Sequence, residues 1–460
     1  MNNREQYKRM LNFLANAVIL FFQGMCFAYI WYEYYSRVIF MPFFRRGNWA
    51  VVGMYVLILF FFTRVMGGYK VGYLRISDIC LSQLAILASN VIGYLQICMI
   101  GRDYMPIGPI IMITWAEILF VVPWAYTVRW LFVRLYPPRK MLIIYGKYSP
   151  DDLIKKVNSR RDKYNICGAE SIAIGYEELT KRIPDYEAVV LCDLPAHTRN
   201  KILKFCFEKS IRIYVTPKLS DIIISGSESI HLFDTPLYLC RNNGFSMDQR
   251  IFKRAMDIIG SLIGIIILSP FMLLTAVAIK AYDRGPVFFK QARLTQDGRE
   301  FGIIKFRSMC IESEKNGAQL AKKHDDRITP VGRLIRKIHF DEIPQLFNIL
   351  KGDMSIVGPR PERQEIASQY EEIIPEFRYR LKVKAGLTGY AQVYGKYNTT
   401  PYDKLKLDML YIENYSFWLD IKILLMTFKV ILQKENSEGI DENQITALKR
   451  EIESKTTTKY

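Results

Sequence analysis

The sequence predicts a membrane protein in three parts: a four-helix transmembrane bundle, an α/β middle domain, and a C-terminal α/β domain that carries a re-entrant membrane helix. Three observations predict it. Four long apolar stretches fill the first third of the chain. Strand and helix patterns alternate after Pro137-Pro138. A further apolar stretch, Met256 to Ile279, contains Ser269-Pro270 near its middle and has basic residues on both flanks. The expected boundaries are 1–138 for the bundle, 139–245 for the middle domain and 246–436 for the last domain, with the re-entrant helix at 253–282 and a polar tail at 437–460.

Composition agrees with a chain of mixed character. At 460 residues there is room for roughly two to four domains. Half of the residues are hydrophobic, yet the mean hydropathy of +0.04 is far below that of a protein lying wholly in lipid, so the apolar residues must be concentrated. A formal charge of +18 implies an anionic partner: nucleic acid, a membrane surface or a phosphorylated substrate. The eight cysteines are scattered, with no Cys-x-x-Cys and no zinc-type spacing, which reads as reduced thiols.

The bundle rests on apolar stretches at about 10–31, 49–68, 77–100 and 107–133, each near the roughly 20 residues a helix needs to cross a bilayer. Buried core helices are the competing reading, which their length and low charge disfavour. A cleavable leader is disfavoured because no small-residue cleavage site follows the first stretch and more spans come after it. Arg4, Lys8, Arg9, Arg64, Lys70, Arg75, Arg134, Arg139 and Lys140 fall on one side; Arg37, Arg45, Arg46 and Arg102 fall on the other. That bias places both ends of the bundle in the cytoplasm.

The middle domain follows from period and alternation. Met141 to Tyr145, Ala188 to Cys192 and Ile211 to Val215 read as strands, with helices at 150–160 and 198–209, so a parallel, Rossmann-like sheet is expected. Its first strand runs into Gly146-Lys147-Tyr148-Ser149-Pro150, not a glycine fingerprint. A structural or regulatory module without an essential dinucleotide is therefore expected.

In the last apolar stretch, Pro270 removes a backbone hydrogen bond and is expected to kink or break the helix. Lys253 and Arg254 precede the stretch and Lys280 and Arg284 follow it. Cytoplasmic preference for positive charge then puts both ends on one face, and the segment dips into the membrane and returns. A proline-kinked ordinary span would instead put the rest of the chain outside the cell.

The residues beyond it carry candidate chemistry. Phe301 to Arg307 alternates as a strand, with Lys305 and Arg307 on one face. Arg333, Arg336 and Lys337 recur at helical spacing as a basic stripe opposite Leu334, Ile335 and Ile338. The stripe leads into Asp341-Glu342, with Pro344 suited to the first turn of a new helix. Capping would explain two carboxylates there. So would a site in which one carboxylate holds a metal and the other, kept ionised by neighbouring cations, is a nucleophile. Pro359-Arg360-Pro361 presents an arginine from a stiff segment, as a bidentate phosphate ligand requires. Gly386-Leu-Thr-Gly389, Gln392 and Gly395-Lys396 follow.

Lys253-Arg254-x-x-Asp257, Ser269-Pro270, Lys305-Phe-Arg307, Asp341-Glu342, Pro359-Arg360-Pro361 and Asp408-x-x-Tyr411 stand in an order and approximate spacing that resemble the bacterial polyprenyl-phosphate hexose-1-phosphate transferases, or monotopic phosphoglycosyl transferases. The resemblance covers Lys253 to about Gln433; the four spans and Rossmann-like middle match the large class of that family. It implies an α/β catalytic domain with a re-entrant helix on the cytoplasmic face of the bacterial inner membrane, a UDP-hexose donor, an undecaprenyl phosphate acceptor, Mg2+, and UMP as by-product. It further implies that Asp341 is the nucleophile, Glu342 its metal-associated partner, Arg360 a nucleotide-binding residue and Asp408 a helper near the metal. Arg336 is expected with Asp341, Glu342 and Asp408 in the catalytic set, Asp341 and Glu342 together as the metal ligands, and Lys305, Arg307, Arg333, Pro359, Pro361, Gln392 and Lys396 around the substrates. Lys396 stands where the family has arginine, keeping the charge but losing the planar fork. A homodimer joined through the spans or the middle domain is a further expectation. A non-catalytic scaffold for polysaccharide assembly would share the spans without needing Asp341, Glu342 and Arg360. A nucleic-acid binder would account for the charge but would need a binding motif, which is not seen.

Overall fold

The computed structural model describes residues 4–431 except 40, 41, 45, 72, 73, 75, 84, 147, 148, 241–243, 311–326 and 396–398. Lys396 and the tail at 437–460 lie outside the described residues. The chain divides into two compact units, Met1–Thr216 and Pro217–Tyr460.

The first unit begins with α1 (Arg4–Ile30), continued by a π-helical stretch Trp31–Tyr35, then α2 (Arg46–Met66), α3 (Ile76–Ser82), α4 (Ala85–Gly101) and α5 (Gly108–Leu135). With α3 and α4 forming one apolar stretch, Ile76–Gly101, these supply four segments long and apolar enough to cross a membrane. Their inner faces bury Phe27, Trp31, Tyr35, Tyr55 and Leu59; outer faces expose Phe13, Phe21, Leu57, Met99 and Leu119, as helices that meet lipid do.

The α/β part of this unit is β1 (Arg139–Tyr145), α6 (Asp151–Asn158), β2 (Tyr164–Ser171), α7 (Tyr176–Arg182), β3 (Ala188–Cys192), α8 (Ala196–Glu208) and β4 (Arg212–Val215). The sheet is parallel throughout, in the order β2-β1-β3-β4. Leu142, Ile144, Val189 and Leu191 pack on one face, Met141, Ile143 and Val190 on the other, which is why β1 and β3 read as continuous apolar runs. Strand β2 sits at the edge, and its alternating polar residues gave no such run.

The second unit starts earlier than the expected boundary near 245, because α9 (Leu219–Ser225) buries Leu219 and Ile222 in the second unit's core. A hairpin of β5 (Glu228–Leu232) and β6 (Thr235–Leu239) follows. Then comes α10 (Met247–Asp283), a 37-residue helix and the fifth segment apolar enough to span. Next are the antiparallel pair β7 (Phe288–Leu294) and β8 (Glu300–Phe306), α11 (Pro330–Lys337), α12 (Gln345–Lys351), β9 (Ser355–Val357) and α13 (Gln364–Ile373). β10 (Gly386–Thr388) pairs in parallel with β9, and α14 (Tyr390–Tyr394), α15 (Pro401–Glu413) and α16 (Phe417–Ile431) close the unit.

At Ser269-Pro270, where a kink or a break is expected, the helix α10 is continuous, so the chain is not broken there. Proline leaves the carbonyl four residues earlier, on Ile266, without its amide donor. The Ser269 hydroxyl donates to that same carbonyl at 2.9 Å, the kind of side-chain replacement that lets proline sit within a helix in lipid.

Both ends of α10 are tied to the second unit. Near its start, Lys253 is buried and donates to Asp420 Oδ2 (2.7 Å) and to the Tyr411 hydroxyl (3.0 Å), among the rings of Phe245, Tyr411 and Tyr415. Arg254 donates to the carbonyls of Ile349 and Leu350 at the end of α12, and Asp257 accepts from Ser355 Oγ and Ile356 N. At the far end, Met272 and Ile279 pack with Phe306 and Ile335, and Asp283 pairs with Arg307. Between these anchors Ile259, Ile263, Ile266, Ile267, Phe271, Leu273 and Leu274 are exposed.

Candidate active site

Three local features aim the two candidate carboxylates. Thr329 caps α11, its hydroxyl accepting from Gly332 N at 2.9 Å. Gly332 lets α11 lie against the chain leaving β8, since a Cβ there would meet Ser308 O at 1.9 Å. His339 then takes a left-handed backbone (φ 54°), which ends α11 and turns the chain into a 3₁₀ turn, Phe340–Glu342. Asp341 and Glu342 therefore lie in this turn, not in the first turn of the helix that follows. Phe340 stacks on Phe306 of β8, fixing the turn beside Lys305.

Glu342 is clamped. Its Oε1 accepts from Lys305 Nζ at 2.7 Å and from Arg360 Nη2 at 2.8 Å, and its Oε2 lies 3.4 Å from Arg360 Nη1. Burial alone would raise its pKa, but Arg360 and Lys305 together outweigh that and hold it well below the usual carboxylate range. Asp341, one residue earlier, makes no hydrogen bond or ion pair among the described residues. Burial, and then the charge of Glu342, push its pKa up against the pull of Lys305, Arg336 and His339. This reverses the expectation that neighbouring cations would dominate Asp341: Lys305 and Arg360 bond Glu342, and the pull of Lys305, Arg336 and His339 on Asp341 is smaller than the push of burial and Glu342.

Arg360 is aimed by its backbone. Gly386 passes so close that a Cβ would meet Gly358 N at 2.1 Å, and its amide donates to Pro359 O at 2.9 Å. Behind Arg360 lies an ionic cluster that sequence reasoning did not find. Buried Arg380 bonds Asp408 (2.8 and 2.9 Å), lies 3.5 Å from Glu362, and donates to the Arg360 carbonyl. Lys404 also pairs with Glu362, whose pKa is lowered to about 2: burial raises it, but Lys404 and Arg380 lower it more.

Of the sequence-predicted site residues, Asp341, Glu342, Lys305 and Arg360 converge, with Arg336 near enough to lower the proton affinity of Asp341. Arg333 and Arg336 form no ion pair among the described residues. Arg307 does not join its strand-mate Lys305: it turns to Asp283 at the end of α10. Leu334 and Ile338, expected opposite the basic stripe, are exposed, and Ile335 alone of the three is buried. Asp408 is a buried partner of Arg380, one layer behind the carboxylates. Gln392, in α14, donates to Leu387 O of β10. Lys253, Arg254, Asp257 and Tyr411 are anchors of α10 rather than members of the site.

Among the described residues no three His, Cys, Asp or Glu side chains group as a metal cage. Mg2+ needs fewer, since it is commonly held by one or two carboxylates together with waters and substrate phosphates. Asp341 and Glu342 are the oxygen donors that fit such a site.

The sequence model of the bacterial sugar transferases matches residues 248–434. A UDP-glucose:undecaprenyl-phosphate glucose-1-phosphate transferase of Caulobacter vibrioides is 40% identical over 191 residues, 40% of this chain and 71% of that protein. The chain belongs to the bacterial sugar transferase family. A UDP-N-acetylgalactosamine-undecaprenyl-phosphate N-acetylgalactosaminephosphotransferase of Aeromonas hydrophila is 41% identical over 238 residues, 50% of this chain and 55% of that protein. A UDP-glucose:undecaprenyl-phosphate glucose-1-phosphate transferase of Klebsiella pneumoniae is 41% identical over 217 residues, 46% of this chain and 45% of that protein. Against these two the sugar transferase spans about half the length of the relative. The family match runs from the first turn of α10 to residue 434, so the site described above lies wholly inside the matched region.

Proposed function

We propose that this sugar transferase moves a hexose-1-phosphate from a UDP-sugar to undecaprenyl phosphate, giving undecaprenyl-diphosphate-sugar and UMP, through a covalent intermediate on Asp341. The product would begin an exopolysaccharide, capsule or O-antigen chain at the cytoplasmic face of the inner membrane. The observation that carries the reading is the division of labour between adjacent carboxylates: Glu342 is held by Lys305 and Arg360, while Asp341 is left with uncommitted oxygens.

The chemistry balances in two displacements. An Asp341 oxygen attacks the sugar-bearing phosphorus, the bond from that phosphorus to the bridging oxygen breaks, and UMP leaves with the electron pair. A phosphate oxygen of the polyprenyl acceptor then attacks the same phosphorus and releases the Asp341 carboxylate. Cleaving a diphosphate is mainly a problem of charge, so fixed cations at Arg360 and Lys305, with Arg336 nearby, supply much of the stabilisation. Mg2+ held by Asp341 and Glu342 would add Lewis-acid neutralisation of the leaving phosphate. The raised pKa of Asp341 makes its ionised oxygen more basic than a free carboxylate and so a better nucleophile.

A re-entrant α10 is supported by its anchors. In a straight helix Asp257 and Asp283 would stand about 39 Å apart, more than the roughly 30 Å hydrocarbon core, yet both pair with the same polar unit. A helix crossing the bilayer would drag those polar contacts to opposite faces. Entry and exit on one face keep them in water or headgroups and put the exposed isoleucines and leucines in lipid.

The test is a UDP-sugar carrying label in the β-phosphate, incubated with the purified protein in lipid without acceptor. UMP should appear in a burst equal to the enzyme, and the label should reside on a peptide containing Asp341. Label that never leaves the donor until polyprenyl phosphate is added would replace this route with direct transfer.

A further inference from the structure

Four consecutive carbonyls in the segment that presents Arg360 each accept a hydrogen bond. Gly386 N reaches Pro359 O (2.9 Å), Arg380 Nη2 reaches Arg360 O (2.8 Å), Arg293 Nη1 reaches Pro361 O (3.2 Å) and Leu294 N reaches Glu362 O (2.9 Å). The prolines stiffen the segment but provide no amide at 359 and 361 with which it could brace itself. Its placement is therefore set by donors from elsewhere. Arg380 is the one that holds the carbonyl of Arg360 itself.

Arg380 is built for this. Only 3% of its side chain is exposed, Nε and Nη2 lie 2.9 and 2.8 Å from Asp408 Oδ2, and the guanidinium sits 5.0 Å from the ring centroid of Phe377. Asp408 is itself buried and neutralises the charge that makes Arg380 affordable there. Arg380 and the segment Pro359, Arg360, Pro361 and Glu362 line one small cavity together with Leu294 and Phe377, so the brace and the segment share a wall. Neither Arg380 nor Asp408 makes a hydrogen bond to Asp341 or Glu342; their route to the site is the Arg360 backbone.

We propose that Arg380, clamped by Asp408, is a positioning residue: by fixing the Arg360 carbonyl it sets the direction in which the Arg360 guanidinium meets Glu342 and the donor diphosphate. This rests on the transfer reaction proposed above. Lysine cannot substitute fully, because a single ammonium on a flexible stem does not present the planar fork that serves Asp408 and the carbonyl together.

A double-mutant cycle tests it in the full-length protein in lipid, with UMP release measured against donor concentration. Arg380→Gln is expected to raise the donor KM about tenfold, and to add less than about twofold when Arg360 is already alanine, since residues acting through one another are not additive. Asp408→Asn, which keeps shape and an acceptor, should move KM the same way by a smaller factor and supplies the test if Arg380→Gln fails to fold. Equal factors in both backgrounds would reduce Arg380 to general scaffolding. A wild-type protein that released no UMP from any UDP-sugar would overturn the proposed reaction instead. Hydrogen exchange across 357–363 then decides the positioning role by itself: faster exchange there in Arg380→Gln is expected, and unchanged exchange overturns it.

Discussion

The N-terminal apolar helices and the sugar-transferase unit each bury a carboxylate network, and the two are built from different partners. In the bundle, Glu117 accepts from Asn90 Nδ2 at 2.8 Å and from the Tyr55 hydroxyl at 3.2 Å, near the middle of three helices, with every donor neutral. In the transferase unit, Glu342, Glu362 and Asp408 face Lys305, Arg360, Arg380 and Lys404. Unpartnered Asp341 brings that ledger to four against four, and Arg333 and Arg336 then add positive charge with no ion pair among the described residues. Neutral donors around one carboxyl satisfy it and stop there, which suits helix pairing in lipid. Cations in excess leave a surface that is complete only when an anion arrives.

The largest effect expected from that contrast is at Asp341. Asp341→Asn keeps the shape and should lower UMP release by about a thousandfold or more, with or without acceptor. The same change should raise Tm at pH 7. The folded pKa of Asp341 is raised, so its contribution to stability is present below the unfolded pKa of about 3.9 and is lost as pH rises through the folded value. At pH 3 the gain should vanish. A variant both inactive and less stable at pH 7 would mean that Asp341 has a structural partner after all.

Second is Lys253, the buried cation that meets Asp420. Lys253→Met leaves the Asp420 carboxylate with the Tyr411 hydroxyl but without this ion pair and should cost about 3 kcal/mol, seen as a lower unfolding midpoint, while the folded fraction keeps its donor KM. A change in KM without loss of stability would move Lys253 from anchor to site.

These anchors show how far the sequence could be read. The spans, β1, β3, β4 and the approximate course of α10 were legible because apolar length and period report burial directly. Lys305, Asp341, Glu342 and Arg360 were legible as charged residues in stiff or patterned segments. Roles were harder. Lys253, Asp257 and Tyr411 stand in motifs as prominent as Asp341-Glu342, and only their partners, Asp420, Ser355 and Val357, mark them as supports. Arg380 had no local signal at all: a buried arginine depends on carboxylates at positions 362 and 408, and a contact between distant residues leaves no period in the chain. Ser269 and Pro270 read as a kink or a break, and the break fails because the hydroxyl beside proline takes the carbonyl that proline leaves open.

Third is the acid limb of the pH profile. With ionised Asp341 as the proposed nucleophile, activity should fall as pH drops through a pKa that is raised above the ordinary aspartate value. Glu342, held well below the usual range, stays ionised throughout that limb. Lys305 pulls both carboxylates down, so Lys305→Met should move the limb to higher pH in addition to slowing turnover. A limb that stayed in place would assign it to another group.

The smallest effect is expected at Glu117, and it bears most directly on the contrast. Removing this carboxyl does not orphan its donors, because each has a second partner. The Tyr55 hydroxyl also reaches Asn90 Oδ1, and Asn90 Nδ2 also reaches Thr114 Oγ1 at 2.9 Å. Interhelical hydrogen bonds in membranes contribute about 1 kcal/mol, and these fallback contacts should keep Glu117→Leu near that figure. Glu117→Gln, which retains one acceptor and nearly the same volume, should cost less. Unfolding of the bundle in lipid measures both, and UMP release by the same preparations should match wild type. A folded Glu117→Leu protein with UMP release cut tenfold or more would mean that the intramembrane carboxyl serves the reaction, and the division between a satisfied network in the bundle and an unsatisfied one in the transferase unit would fail.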